Sequence, residues 1–383
     1  KGAAQRIRRV AAALFAEMGG GALYVLGDAG LPPYQREGEI EIVRFREPLP
    51  NFLDRALAYG DRLAALLDEQ APSLELCQFR DPWAGVPIVA HPRRRWLAIY
   101  EINGLPSIEL PARYRGLPRP TIAKLRDAEA FCWSLADLVL TPSRTLRDNL
   151  IRLGVPAGKI EVSPNGADLH PPSLRPAAAP ARYLLYVGAL QPWQGIDVLL
   201  RAFALLRDDP DLHLALCASA PTRAAKAYAK LAEKLGVAER VVWRFGLPES
   251  ELAPWLAHAE LSVAPLTACP RNLEQGCFPL KILESMAAGV PVVASDLPAV
   301  RELIDDRVDG RLTRAGRPSE LARTLRVLLE EREERRAMGE RARQKVEQHY
   351  TWTSLGERLR GVYRAALAGA ARPELRSAAG GRS

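Results

Sequence analysis

Short apolar runs rich in Val, Ile and Leu alternate along the chain with longer segments whose apolar residues recur every third or fourth position. The first kind suits a strand buried on both faces, the second an amphipathic helix packed on one side. In the first half, strands are predicted at Ala22 to Leu26, Glu41 to Phe45, Ile88 to Val89 and Leu97 to Glu101, with two more ending in "LVLTPS" and "KIEVSPNGAD". Helices are predicted over Phe52 to Glu69, Thr121 to Ala136 and Thr145 to Leu153. Such alternation produces a parallel sheet covered on both faces.

The pattern breaks at "HPPSLRPAAAPARY", His170 to Tyr183, which has linker composition and no apolar period. It then resumes with "RYLLYVG", "LHLALCAS", "VVWRFG", "LSVAPL" and "PVVAS" as strands, each followed by a helical segment. The reading is α/β, with two Rossmann-like, doubly wound domains over 1–172 and 183–350 joined by a linker at 173–182. The charge-dense "EREERRAMGERARQKVEQHY" reads as a solvated helix laced by i,i+4 ion pairs, and 351–368 as a closing helix. The Ala/Gly/Arg/Ser tail, 369–383, is expected to be disordered. The opening helix, with Ile7, Val10, Ala11, Leu14, Phe15 and Met18 on one face, has no strand before it; a first strand is therefore expected upstream of Lys1.

Composition narrows the partners. Five scattered cysteines never reach C-x-x-C spacing, and the five histidines form no metal-ligand spacing, so neither a disulfide framework nor a metal site is expected. That usage suits a reducing cytoplasm, and no apolar run reaches the ~18 to 20 residues of a membrane span. A net charge of +8 favours anionic partners. Nucleic acid is disfavoured because the basic residues do not alternate with aromatics. An acidic inner membrane face is a candidate partner, approached by Arg6, Arg8 and Arg9, by "RRRW" at Arg93 to Trp96, and by Arg113, Arg115 and Arg119.

Two stretches hold the candidate chemistry. "YVGALQPWQGIDVLLRAF", Tyr186 to Phe203, is a strand, a loop bounded by Gly188 and Gly195, and a helix whose free N–H groups would face an anion. The loop carries no cation; Trp193 and Gln194 stand in it, and an ordinary tight βα connection is the plain alternative. "RNLEQGCFPLKILESMAAGVPVVAS" begins a second helix at Pro279 after a loop through Gly276, Cys277 and Phe278, and offers the N–H groups of Leu280 and Lys281. Lys281 and Glu284 share a face of that helix, suited to a phosphate and a sugar diol, or simply to pairing with each other. In the first half, Arg80, Asp81, Glu101 and Asn103 lie at predicted strand ends.

Taken together, "VSPNGAD", the glycine-loop stretch, "FPLKILESMAAGVPVVASDLPAVRELI" and "HYTWTSLGERLRGVY" resemble the retaining nucleotide-sugar glycosyltransferases of the GT-B fold, the group-1 family. The resemblance implies two domains facing a cleft, a closing helix returning to the first domain, and transfer of a sugar from a UDP- or GDP-sugar to a sugar or lipid-linked acceptor, as in polysaccharide or glycolipid synthesis. No cofactor or metal is implied. Glu284 matches the family's ribose-binding glutamate. Gly276 stands where the family's first glutamate would be, and Ala189 and Gln194 stand where Arg and Lys usually contact the diphosphate. Lys281, aided by Arg271, is then expected to supply the missing charge, with Gln194 and the loop N–H groups gripping phosphate. Arg80, Asp81, Glu101 and Asn103 become candidates for contacting acceptor or transferred sugar. The departures leave a second reading, a catalytically degenerate nucleotide-binding relative.

Overall fold

The computed structural model describes residues 2–370 apart from positions 28, 29, 115 and 220. Lys1, Arg115 and the tail from 371 lie outside the described residues. The chain forms two units, Gly2–Ser163 with the segment from Leu355 onward, and Pro164–Ser354.

The first unit holds strands β1 (Gly21–Leu26), β2 (Tyr34–Glu37), β3 (Ile40–Phe45), β4 (Leu76–Phe79), β5 (Leu97–Glu101), β6 (Leu138–Thr141) and β7 (Ile160–Val162). They make a three-stranded sheet in the order β1-β3-β2 and a parallel sheet in the order β4-β5-β6-β7. One helix, Gly2–Met18, serves both: its Val10, Leu14 and Phe15 share a core with Ile40 and Ile42 of β3 and with Ile99 and Leu140 of the second sheet. Leu359 and Tyr363 of the helix Trp352–Ala370 complete that core. The Tyr363 hydroxyl donates to Gln78 Oε1 at 2.7 Å, and Arg364 pairs with Glu17.

Ile88 and Val89 form no strand. They lie in the helix Pro82–Ala90, which Asp81 caps by accepting from the Ala84 N–H at 3.0 Å and which Pro82 opens. A short, wholly apolar run fits a buried helix as well as a buried strand, and here the capping residues decide. The helix Pro106–Arg113 and the edge strand β2 carry too few apolar residues to be visible in the pattern.

The second unit holds β8 (Arg182–Gly188), β9 (Leu212–Ala218), β10 (Val241–Phe245), β11 (Leu261–Ala264), β12 (Val292–Ser295) and β13 (Arg311–Thr313). All five pairings are parallel, in the order β10-β9-β8-β11-β12-β13. The chain therefore builds outward from β8, returns, and builds outward again from β11. The β8/β11 boundary is a topological switch point, where the loops leaving the two carboxyl ends diverge and leave a crevice. Burial of these strands on both faces matches their unbroken apolar runs: Leu184, Leu185 and Tyr186 are fully buried.

The charge-dense helix, Arg332–His349, turns Met338, Gly339, Ala342 and Val346 inward and carries the i,i+4 pairs Arg336–Glu340 and Arg343–Glu347 outside. Gly339 lets it cross closely: a Cβ there would stand 2.0 Å from the Gly289 carbonyl oxygen, whereas Gly356 has open space around its would-be Cβ. Gly339→Ala is expected to cost roughly 1–3 kcal/mol through overpacking. Gly356→Ala, in a helix interior without contacts, is expected to add about 0.5–1 kcal/mol. Urea unfolding of both variants checks the pair of opposite signs.

Candidate functional site

The site grows from the carboxyl end of β8. Gly188 has φ 140°, Pro192–Gln194 make a single tight turn, and Gly195 has φ 69° before the helix Ile196–Ala204 begins. A glycine at either position can let a ligand approach the backbone closely. At Gly195 a Cβ would lie 1.8 Å from the Pro265 carbonyl oxygen, so the space belongs to the loop leaving β11 across the switch point. At Gly188 a Cβ would lie 2.8 Å from Lys281 Nζ. That glycine makes room for the lysine.

The loop after β11 clamps the turn. Thr267 N–H donates to the Trp193 carbonyl at 3.1 Å, and Asn272 Nδ2, buried, donates to the carbonyls of Trp193 and Thr267 at 3.0 and 2.8 Å. Arg271 lies over the Trp193 ring, 4.9 Å from its centroid, and donates to Asn272 Oδ1. Its guanidinium thus braces the loop. Arg271–Gln275 wind into one wide helical turn closed by Gly276 at φ 63°, whose N–H donates to the Arg271 carbonyl. The Gly276 N–H is thus used within the turn.

Asn165, from the "SPNGAD" turn, donates Nδ2 to the Phe278 carbonyl at 2.6 Å, and the Phe278 and Tyr350 rings lie 5.8 Å apart. These contacts set the start of the helix Leu280–Ala287, one residue later than expected because Pro279 is extended at ψ 111° and caps rather than opens it. The N–H groups of Leu280 and Lys281 have no intrahelical acceptors, whereas that of Ile282 turns back to the Pro279 carbonyl at 3.1 Å. They and the helix dipole favour an anion in front of Pro279.

Lys281 does not pair with Glu284. Its Nζ donates to Gln194 Oε1 at 2.5 Å and to the Tyr186 hydroxyl at 3.0 Å, and it sits 4.1 Å from the Tyr186 ring centroid. Burial pushes its pKa down to about 7, helped by Arg271 and opposed by Cys277 and Glu284. Burial likewise pushes Glu284 up to about 7, with Glu249 and Asp168 adding to the rise and Lys281 opposing it. A cation and a carboxyl group one turn apart are both poised near neutrality. Gln194 offers its carbonyl oxygen to the lysine, leaving only its NH2 to donate to a ligand. Ala189 contributes a carbonyl, which accepts from the Tyr186 hydroxyl at 2.6 Å.

In the first unit, three of the four strand-end candidates, Arg80, Glu101 and Asn103, form one network. Glu101 is 1% exposed; it accepts from Arg6 Nε at 2.6 Å, Asn103 Nδ2 at 2.8 Å and Gln78 Nε2 at 3.0 Å, with Arg80 Nε 3.5 Å away. Burial alone would raise its pKa, but Arg80, Arg6 and the Asn103 hydrogen bond outweigh it and hold the carboxyl down at about 2. Glu101 and Asn103 are therefore structural partners rather than exposed reactive groups, and Asp81 is a helix cap. Arg6, 2% exposed, and Trp96, 1% exposed, face the interior, while Arg93 and Arg94 pair with Asp68 and Asp137 and Arg8 with Glu37. Arg6 and Trp96 thus fall out of the basic patch expected to face a membrane, while Arg8, Arg9, Arg93, Arg95, Arg113 and Arg119 remain exposed. Among the described residues, no three His, Cys, Asp or Glu side chains gather as a metal site, and no helix is long and apolar enough to cross a membrane.

Two family models cover nearly all of this chain: Glycosyltransferase Family 4 over residues 1–170 and Glycosyl transferases group 1 over residues 176–345. The chain belongs to the group-1 GT-B glycosyltransferases. It is 31% identical over 241 residues to the MMP alpha-(1->4)-mannosyltransferase of Mycolicibacterium hassiacum, a match covering 61% of this chain and 55% of that protein. The chain thus spans little more than half the length of the curated relatives it matches. Sucrose-phosphate synthase of Thermosynechococcus elongatus shares the fold with a TM-score of 0.80 and 19% identity, over 96% of this chain and 94% of that one. Anabaena HepE, solved in complex with UDP-glucose, aligns with a TM-score of 0.69 and 19% identity, over 90% of this chain and 99% of its own.

Within the group-1 fold, sequence reasoning overlooked Tyr186, Asn272 and Asn165. Tyr186 lies on a strand where an aromatic reads as core, and the two asparagines sit in loops whose partners are distant in the chain. In the Glu101 network, the folded-state pKa lies below the ordinary 4.5, so its stabilisation is complete above pH 4.5 and is lost as pH falls toward 2. Glu101→Gln is expected to cost about 3–5 kcal/mol near neutrality by leaving buried guanidinium groups uncompensated. The difference in urea stability between wild type and variant should shrink through that acid window, which equilibrium unfolding at stepped pH checks.

Proposed function

We propose that this group-1 glycosyltransferase relative moves a sugar from a nucleoside-diphosphate donor, UDP- or GDP-linked, to a sugar or lipid-linked acceptor with retention of anomeric configuration. The observation that carries the reading is the half-buried Lys281 amine beside the switch point, next to the Leu280 and Lys281 N–H groups that open the helix Leu280–Ala287 and one turn from Glu284. An ammonium and converging N–H groups suit a departing diphosphate, whose negative charge grows as the glycosidic bond breaks. A carboxylate set deeper on the same face suits the two ribose hydroxyls. The acceptor then attacks from the leaving-group side, so no protein nucleophile is needed and the leaving group is served electrostatically, without a resident metal. HepE, which binds UDP-glucose, and the mannosyltransferase relative lend the donor class and the reaction type their support.

Ala189 and Gly276, in place of the family's Arg and Glu, favour the second reading of a nucleotide-binding protein without transfer. Calorimetric titration with UDP-glucose and GDP-mannose, beside an assay for sugar release or transfer, separates the two. Affinity for the preferred donor is expected to peak near pH 7. Above it Lys281 loses its proton, and below it Glu284 gains one. Lys281→Ala should weaken binding roughly ten- to hundredfold and abolish the alkaline limb, the cost of a charge-assisted hydrogen bond of about 1.5–3 kcal/mol. Glu284→Gln should flatten the acid limb and leave the alkaline one. Binding without turnover by the wild type supports the second reading; no binding of either donor defeats both.

A further inference from the structure

Lys281 is held in a slot made of neutral groups. Its ammonium donates to the Gln194 carbonyl oxygen at 2.5 Å and to the Tyr186 hydroxyl oxygen at 3.0 Å, and the Tyr186 ring lies beneath it at 4.1 Å. The floor is Gly188, whose absent Cβ leaves the space that Nζ and Cε occupy. Tyr186 is fully buried, and its own proton is directed to the Ala189 carbonyl at 2.6 Å, so its oxygen lone pair is turned toward the ammonium. The hydroxyl oxygen also lies 3.3 Å from Gln194 Oε1, completing a compact arrangement of three side chains and one loop carbonyl.

We propose that Tyr186 is a positioning residue for donor binding, forming with Gln194 a neutral cradle that keeps the Lys281 amine protonated and aimed at the glycine loop. This rests on the donor-site reading above and adds to it the residues through which Lys281 acts. A lysine at position 194, as the family usually has, would place two ammonium groups within hydrogen-bond distance. Glutamine there, combined with the tyrosine hydroxyl, converts a repulsive arrangement into one with two acceptors and a π face. The single cation is thereby stabilised without a carboxylate partner that would compete with a diphosphate.

The groups facing the amine are few enough to predict its titration. Tyr186 and Gln194 come from β8 and its loop, Cys277 and Arg271 from the preceding loop, and Glu284 from its own helix, where Glu249 and Asp168 act on Glu284 in turn. Burial and Arg271 disfavour the ammonium, Cys277 and Glu284 favour it, and the two hydrogen bonds of the cradle fall on the favouring side.

The test is direct NMR titration of the Lys281 ε-methylene in nucleotide-free protein, assigned by its loss in Lys281→Ala, for wild type, Tyr186→Phe and Gln194→Glu. Tyr186→Phe keeps the ring but loses the acceptor, and should lower the amine pKa by about one unit or more. Gln194→Glu should raise it. UDP-glucose affinity of Tyr186→Phe should match wild type below both midpoints and fall about tenfold above them. A purely structural tyrosine would weaken binding equally at every pH and leave the amine titration unmoved; either result overturns the proposal. Failure of wild type to bind any donor overturns the functional reading instead, while the amine titration still decides the cradle.

Discussion

The site depends on one close approach: the backbone of Gly195 against the carbonyl of Pro265, where a single methyl group would lie 1.8 Å from oxygen. This contact joins the loops leaving β8 and β11 at the point where the strand order reverses. It holds the Pro192–Gln194 turn in a left-handed exit that only glycine adopts without strain. From that anchor follow the clamp of Asn272 on the Trp193 carbonyl, the placement of Gln194, and the docking of Lys281. A crevice that the sheet topology provides in general is here given a particular wall.

The electrostatics of the second unit then differ from a simple cluster of positive charge. Arg271 is committed to Trp193 and Asn272, and Lys281 is the cation turned toward the glycine loop. Removing an ammonium from water without a counter-ion is costly, and neutral dipoles and an aromatic face offset part of that cost. Glu284 meets the opposite difficulty, with burial and the neighbouring Glu249 and Asp168 raising its pKa. The two groups hold their charges near neutrality by a narrow margin. In the first unit the solution is different: Glu101 sits among two guanidinium groups and two amides and stays ionised far into acid.

Much of the architecture was legible in the order of residues. Unbroken apolar runs such as "LLYVG" and "PVVAS" predicted strands buried on both faces, and Gly289 marked a helix end where φ is 73°. The i,i+4 spacing of Arg and Glu after Glu331 foretold a solvated helix. Where local pattern was ambiguous it misled. Ile88 and Val89 are equally apolar in a strand or a helix, and Asp81 and Pro82 before them settle the matter by capping.

The sequence by itself determined the alternation of elements, the family and the stretches that line the crevice, because periodicity, turn residues and motif spacing are local properties. Only the tertiary structure decided what each candidate does. Arg6 is 95 residues from Glu101 and Lys281 is 95 residues from Tyr186, yet each pair is in hydrogen-bond contact. No periodicity encodes such partners. A buried ionisable group takes its role from whichever side chains the fold brings to it, and that is why Glu101 became an internal anchor while Lys281 remained a charge hydrogen-bonded to neutral groups.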